Sequence, residues 1–316
     1  MTLAPDIAAT ASDGQRLCPG CGAASPVAPR DALWPLAWRC VSCGYRLPRA
    51  AGFAQLAAAL DETNEGFALE GIDPLASVEE DHFWFGNRNE MVRWLVRRYA
   101  PTAQRVLEIG CGTGFVLSAL RQALPAATIT GSELHSRGLA AARQRHGEAV
   151  ELIQMDARHC HLAETVDLVG AFDVLEHIPQ DGDVLSEIAR ILKPGGILIA
   201  TVPQHPWMWS TADDLARHQR RYRRGELARK ARSAGLQPRY QSSFVTLAFP
   251  VMVAMRLLER LRPTKQSLEA ISEMHLNVNS AANGVLRGLG RVEQGLRRAG
   301  VPLPFGGSQV LVASKP

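Results

Sequence analysis

Between residues 105 and 202 the apolar positions fall in short, nearly continuous runs separated by amphipathic stretches. The runs at 105–109, 128–131, 150–154, 166–172 and 197–202 have the length and branched composition of buried strands. The stretches between them carry apolar residues at helical spacing and predict helices from a glycine-rich turn to about 124, over 136–145 and over 183–192. Such alternation predicts βαβ units, hence a doubly wound α/β domain whose parallel sheet is covered on both faces and binds ligands at the carboxyl ends of its strands. Upstream, Met91, Val92, Leu95, Val96 and Tyr99 mark one face of a helix that ends at Pro101, and Ser77-x-x-Glu80 reads as its capping box. Beyond Val202 a loop over 203–224 leads to a helix near 226–234, a strand at 238–244, a mostly helical basic segment at 247–300 and a last strand at 309–314.

The amino-terminal part follows another logic. Cys18-Pro-Gly-Cys21 and Cys40-Val-Ser-Cys43 are 18 residues apart, the spacing of a four-thiolate zinc site, and a glycine follows each knuckle. The expected organisation is a disordered tail at 1–15, a zinc ribbon at 16–50 holding a structural Zn2+, a linker at 51–76, and the α/β domain at 77–316 with a helical insertion at 247–300. Trp34 and Trp38 are expected to pack the ribbon, and Cys111 and Cys160 to be buried thiols. His159-Cys160-His161 places its side chains on successive positions that do not face one point.

The 316 residues are 46% hydrophobic and 21% charged, the profile of a globular protein, with a net charge of only +4. That total hides a polarised chain: residues 217–316 hold 18 basic against 5 acidic side chains, and the first 216 hold 17 against 26. The first 14 residues lack the basic and apolar regions of a secretory signal. The longest apolar run, 12 residues at 244–255 broken by Thr246 and Pro250, is shorter than the roughly 18 a membrane span needs. A cytoplasmic protein is expected, with the basic amphipathic stretch through Arg256, Arg260 and Arg262 able to lie on the inner face of a membrane, wall a pocket or cap the domain.

The turn after the first strand, Glu108-Ile-Gly110-Cys111-Gly112-Thr-Gly114, suits a nucleotide-like ligand at a helix N-terminus. Phe115 stands where a dinucleotide fingerprint requires its third glycine, and no Gly-Lys-Ser/Thr follows, so neither NAD nor a P-loop is expected.

Taken together, these motifs resemble class I S-adenosylmethionine-dependent methyltransferases with a type 11-like domain, over about 77–245 plus the last strand. The resemblance implies a Rossmann-like, mostly parallel sheet. It places the methionine end of S-adenosyl-L-methionine against Glu108, Gly110, Cys111, Gly112 and Gly114, the ribose on Glu133 with Leu134 beside it, and adenine near Asp156 and Ala157. Phe172 and Asp173, in Ala171-Phe-Asp-Val-Leu-Glu-His177, would border the methyl group, and Arg88 would bind the cofactor carboxylate. Asp81-His-Phe-Trp-Phe85 and His218-Gln-Arg-Arg-Tyr222 resemble a bacterial subgroup linked to envelope glycan, lipid or secondary-metabolite assembly.

His177 is expected to be a base or an orienting group, or else to fix its own loop; His218 and Tyr222 are the other catalytic candidates. His205, Trp207, Trp209 and Arg221 share the loop after the fifth strand, where acceptors enter this fold. The expected function is methyl transfer to a small-molecule, glycan or lipid-linked acceptor. The alternatives are an RNA methyltransferase, since some ribosomal RNA enzymes join a cysteine-rich module to this fold, and a non-enzymatic interaction module.

Overall fold

The computed structural model describes residues 14–28, 30–61, 63, 65–68, 71–261 and 278–316. Most of the expected tail and the middle of the insertion lie outside these residues.

Six parallel strands form the centre of a nine-stranded sheet: β4 (Phe53–Gln55), β5 (Arg105–Ile109), β6 (Thr128–Glu133), β7 (Glu151–Gln154), β9 (Val166–Phe172) and β10 (Leu192–Pro203). In space they run β10-β9-β5-β6-β7-β4. The strand order reverses between β5 and β9, which opens a crevice at their carboxyl ends. On one edge β12 (Ser308–Ser314) lies antiparallel between β10 and β11 (Gln237–Phe244); on the other, β3 (Arg49–Ala50) pairs with β4. One face packs on α2 (Phe83–Tyr99), α3 (Phe115–Ala123) and α4 (Ser136–His146), the other on α5 (Asp181–Ile191) and α7 (Glu226–Ser233).

Two expectations change. The helix expected from Ser77 is two: α1 (Ile72–Val78) contains Ser77, whose Oγ donates to the Pro74 carbonyl, and α2 starts at His82, whose Nδ1 accepts from the Trp84 N–H. The imidazole caps α2 in place of the expected box, whose two members are engaged elsewhere: Ser77 Oγ on the Pro74 carbonyl and Glu80 with Arg145 Nη1 at 3.0 Å. Residues 53–55, expected in a linker, form strand β4 because Phe53 and Ala54 are apolar enough to bury beside β7.

The cysteine-rich segment is built into the domain. Its hairpin of β1 (Gly14–Leu17) and β2 (Ala24–Val27) takes β8 (Leu162–Ala163) as a third strand. Leu33, Trp34 and Leu47 share a core with Leu107, Ile153 and Val169 of the sheet, and Trp34 meets Trp38 edge to face. The polar ties converge on residues that open strands. Arg105 donates to the carbonyls of Asp31 and Ala28, Glu151 accepts from the N–H groups of Leu33 and Trp34, and Thr165 Oγ1 donates to the Gln15 carbonyl. The segment therefore covers the amino ends of β5, β7 and β9, opposite the crevice.

The described part of the insertion, α8 (Phe249–Leu261) and α9 (Ser280–Arg298), caps the outside of α2 and the β11 edge. Glu293 accepts from the N–H groups of Val245, Thr246 and Leu247, and Asn283 Oδ1 accepts from the Phe83 N–H. Among the described residues no helix is long and apolar enough to cross a membrane.

Candidate functional site

A cavity of about 730 Å³ opens at the carboxyl ends of β5, β6, β7 and β9, within the usual range for ligand pockets. Gly110 leaves β5 at φ +67°, and a Cβ there would lie 2.4 Å from Val174 Cγ2, so the turn admits only glycine without displacing its neighbour. Gly110→Ala is expected to weaken ligand binding about 5- to 30-fold, the equivalent of about 1–2 kcal/mol for an L-residue held left-handed; titration calorimetry measures it. Cys111 and Gly112 complete the cavity's edge of this turn, and burial pushes the Cys111 thiol well up, keeping it protonated.

The carboxylates of the crevice occupy distinct settings. Glu108 is 2% exposed and its Oε2 has no partner; burial pushes its carboxyl well above the ordinary range, with Glu133 adding to the effect and Arg88 opposing it. Glu133, at the end of β6, accepts from the N–H groups of Gly112 (2.9 Å) and Leu134 (2.7 Å), which leaves acceptor capacity on both oxygens. Asp156 is gripped by Arg158 Nε, 2.9 Å from each of its oxygens. Asp173 pairs with Arg88 Nη1 at 2.9 Å, and that guanidinium lies over the Trp84 ring. Arg88 is thus tethered at the cavity wall by Asp173. The described lining carries six carboxyl groups against three guanidiniums, an environment suited to a cationic ligand.

The structure brings Arg88, Glu108, Gly110, Cys111, Gly112, Glu133, Leu134, Asp156, Ala157, Phe172, Asp173, His177 and His218 to this one cavity. It does not bring Gly114 or Tyr222 there. Gly114 caps α3, and a Cβ on it would meet Ala142 and His146 of α4; its role is helix packing. Tyr222 is fully buried, its hydroxyl donates to Asp181, and burial followed by the Asp181 charge pushes the phenol up, so it stays protonated beneath the surface. His205, Trp207, Trp209 and Arg221 also lie off the cavity: the His205 ring lies tilted against Phe249 and Trp207 meets it edge to face, Trp209 Nε1 donates to Asp214, and Arg221 donates to Asp213. Of His82 to Phe85, only Trp84 and Phe85 reach the lining.

His177 is 9% exposed with an unpartnered Nδ1; burial and the neighbouring His218 lower its pKa to about 3, so it is neutral. The roof includes Phe67, Ile72 and Leu75, and Glu79 reaches the wall from beyond α1. Sequence reasoning missed these; the acidic pair Glu79-Glu80 just before the aromatic run was the available signal.

The four expected metal ligands also converge. Cys18 Sγ lies 3.7 Å from Cys43 Sγ, Cys21 Sγ 3.7 Å from Cys40 Sγ, and all four lie within 4.8 Å of one another without a disulfide. Thiolates about 2.3 Å from a common centre stand close to this far apart at tetrahedral corners.

Residues 107–200 match the family model of a methyltransferase domain. A ubiquinone biosynthesis O-methyltransferase of Pseudomonas savastanoi pv. phaseolicola is 30% identical over 141 residues, 40% of this chain and 60% of that one. One from Pseudomonas aeruginosa is 30% identical over 143 residues with the same coverage. The chain thus spans about three fifths of the length of the curated relatives it matches. A phosphoethanolamine N-methyltransferase 2 of Haemonchus contortus, solved with S-adenosyl-L-methionine, superposes with a TM-score of 0.52 at 21% identity, over 82% of this chain and 59% of that one. A putative methyltransferase complexed with the Trm112 activator of Haloferax volcanii gives 0.51 at 20% identity, over 78% and 96%. The fold is that of the class I methyltransferases. In the methyltransferase fold the crevice at the β5–β9 reversal is where a ligand is expected.

Proposed function

We propose that the protein is an S-adenosyl-L-methionine-dependent methyltransferase acting on a small-molecule, glycan or lipid-linked acceptor. The observation that carries this reading is the buried, unpartnered Oε2 of Glu108 beside the Gly110 turn. An uncompensated carboxyl costs stability unless a ligand satisfies it, and an ammonium group does so. In this reading Glu133 takes two ribose hydroxyls and Asp156 an exocyclic amine, while Leu134, Ala157 and Phe172 supply apolar walls.

The bound cofactor supplies an electrophilic methyl group on a sulfonium sulfur. The chain's part is to hold acceptor and methyl in line and exclude water, the work of Phe67, Ile72 and Leu75 overhead and of the Arg88–Asp173 pair at the wall. Incubation with methyl-labelled S-adenosyl-L-methionine and cell extract, separated into RNA, protein, lipid and small-molecule pools, is expected to label the lipid or small-molecule pool. No label in any pool, with no cofactor binding, would sink the reading.

The lipid-linked option draws on Val251, Met255, Leu257 and Leu258 of α8 and on Phe305, exposed apolar side chains of the kind used in peripheral membrane contact. RNA fits less well because part of the carboxyl-terminal positive charge is spent internally: Arg220 and Lys230 pair with Asp181, Arg221 with Asp213 and Arg297 with Glu293. We assign the four cysteines to one structural zinc ion, since four thiolates leave no open position for chemistry.

A further inference from the structure

Resting on the methyltransferase reading above, we propose that His218, held in place by Asp213, is the base that takes the proton from a hydroxyl acceptor, which makes the reaction an O-methylation.

The pair is built to fix one imidazole. Asp213 is 1% exposed and sits in α6 (Thr211–Leu215), where its Oδ2 accepts from the N–H and Oγ of Ser210 in a capping box. Its Oδ1 faces His218 Nδ1 at 2.8 Å and Arg221 Nε at 2.7 Å, and the His218 N–H donates to the Asp213 carbonyl at 2.9 Å. Burial alone would raise the Asp213 carboxyl, but the hydrogen bond from His218 and the Arg221 charge outweigh it and hold the carboxyl well below its usual range. An ionised carboxylate only accepts hydrogen bonds, so Nδ1 carries a proton and the lone pair falls on Nε2. His218 lines the cavity, and with Nδ1 engaged by Asp213 its Nε2 is the ring nitrogen left for a ligand.

The other ring at this end has none of this support. His177 meets His218 edge to face at 4.8 Å, has no carboxylate on Nδ1, and is held neutral by burial. The charged and titratable groups around His218 are Asp213, Arg217 and Arg221 on its own segment, and Glu176 and His177 on the turn beneath. Positive charge arriving at the two imidazoles is stabilised on the one backed by Asp213.

That arrangement selects an acceptor class. A carboxylate or a neutral amine attacks a methyl group without prior loss of a proton, whereas a hydroxyl must give one up as its new bond forms, and a fixed imidazole accelerates that transfer. The acceptor oxygen bonds to the methyl carbon, the methyl–sulfur bond breaks with its electron pair left on sulfur, and the acceptor proton moves to His218 Nε2. Asp213 balances the imidazolium until the proton leaves to solvent. Asp213 is a positioning residue; His218 is the one that meets the acceptor.

The test uses the full chain, methyl-labelled S-adenosyl-L-methionine and the protein-free small-molecule and lipid fractions of a cell extract. The product is expected to carry its label as a base-stable ether. His218→Gln is expected to lower kcat about 10²- to 10⁴-fold and to abolish the acidic limb of the pH–rate profile. Asp213→Asn is expected to lower kcat about tenfold or more and to move that limb to lower pH, since the imidazolium loses its counter-charge. Both variants should bind S-adenosylhomocysteine within about twofold of wild type, the margin within which the base leaves cofactor affinity untouched. Independently of any acceptor, ¹⁵N NMR of histidine-labelled protein with S-adenosylhomocysteine should show His218 as the Nδ1–H tautomer. An Nε2–H tautomer, label in a base-labile ester or on nitrogen, or unchanged kcat in His218→Gln would each overturn the proposal. So would activity lost on omitting Mg2+ with zinc left in place, which would make Glu176, His177 and His218 metal ligands. Failure of wild type to bind S-adenosylhomocysteine at all would instead sink the methyltransferase reading.

Discussion

Glu133→Ala weakens S-adenosyl-L-methionine binding about 10²- to 10³-fold in the expected result, read by titration calorimetry. One carboxylate accounts for a loss of this size. Hydrogen bonds to a charged acceptor are worth about 1.5–3 kcal/mol each, and two ribose hydroxyls lost to water at the lower end cost about 3–4 kcal/mol. Part of the loss is indirect, because Glu133 also anchors the N–H groups of Gly112 and Leu134 and so shapes the glycine turn. Glu133→Gln separates the two contributions: it keeps one carbonyl acceptor and the side-chain volume, and about tenfold weakening is expected from loss of charge. Thermal unfolding without ligand should change by a few degrees at most, since Glu133 is half-buried at a strand end. Unchanged affinity in Glu133→Ala would remove the ribose assignment, and with it the orientation given to Glu108 and Asp156.

Most of the parallel sheet was legible because its longer strands are short, largely apolar and branched runs separated by amphipathic helices, and β5 and β9 span the 105–109 and 166–172 that this pattern predicts. The crevice was legible for the same reason: Glu108, Glu133, Asp156 and Asp173 stand at the ends of consecutive strands, and topology brings strand ends together whatever lies between. Residues in the loop after β10 were harder to place. His218 and Tyr222 are four positions apart in one motif, yet one ring faces the cavity and the other is buried under Asp181, because a loop has no periodicity from which to read direction. Gly114 misled in another way. Its spacing belongs to the glycine turn, while its missing side chain serves the contact between α3 and α4. Strand β4 has three residues, too short for any hydropathic pattern to separate it from a loop. Asp213 carried no sequence signal beyond its place before a histidine; its role depends on Arg221 and His218 closing on the same oxygen.

Removing the proposed zinc should unfold more than the segment that holds it. Metal analysis of the purified protein is expected to give one zinc ion per chain, and Cys40→Ser to lose it along with a fall in Tm on the order of 10 °C, measured by calorimetry. The reason lies in what the cysteine-rich segment covers. Two knuckles with so little core of their own hold their shape through the metal, and Leu33, Trp34 and Leu47 depend on that shape to pack on Leu107, Ile153 and Val169. Arg105 is 1% exposed, and its guanidinium is satisfied by carbonyls of Asp31 and Ala28; once the segment detaches, that charge and Glu151 lose their backbone partners. Returning Leu33 and Leu47 to water costs about 1.5–3 kcal/mol each, enough to account for the expected fall in a chain of this size. The consequences are directional. The ties run to the amino ends of β5, β7 and β9 and the cavity opens at the carboxyl ends, so below the lowered Tm the variant should bind S-adenosyl-L-methionine within about threefold of wild type, a difference below 1 kcal/mol. A metal-free variant with unchanged Tm would mean that packing alone holds the segment and that the four sulfurs meet for another purpose. Equal loss of cofactor affinity and stability would mean that the two ends of the sheet are coupled through the strands themselves.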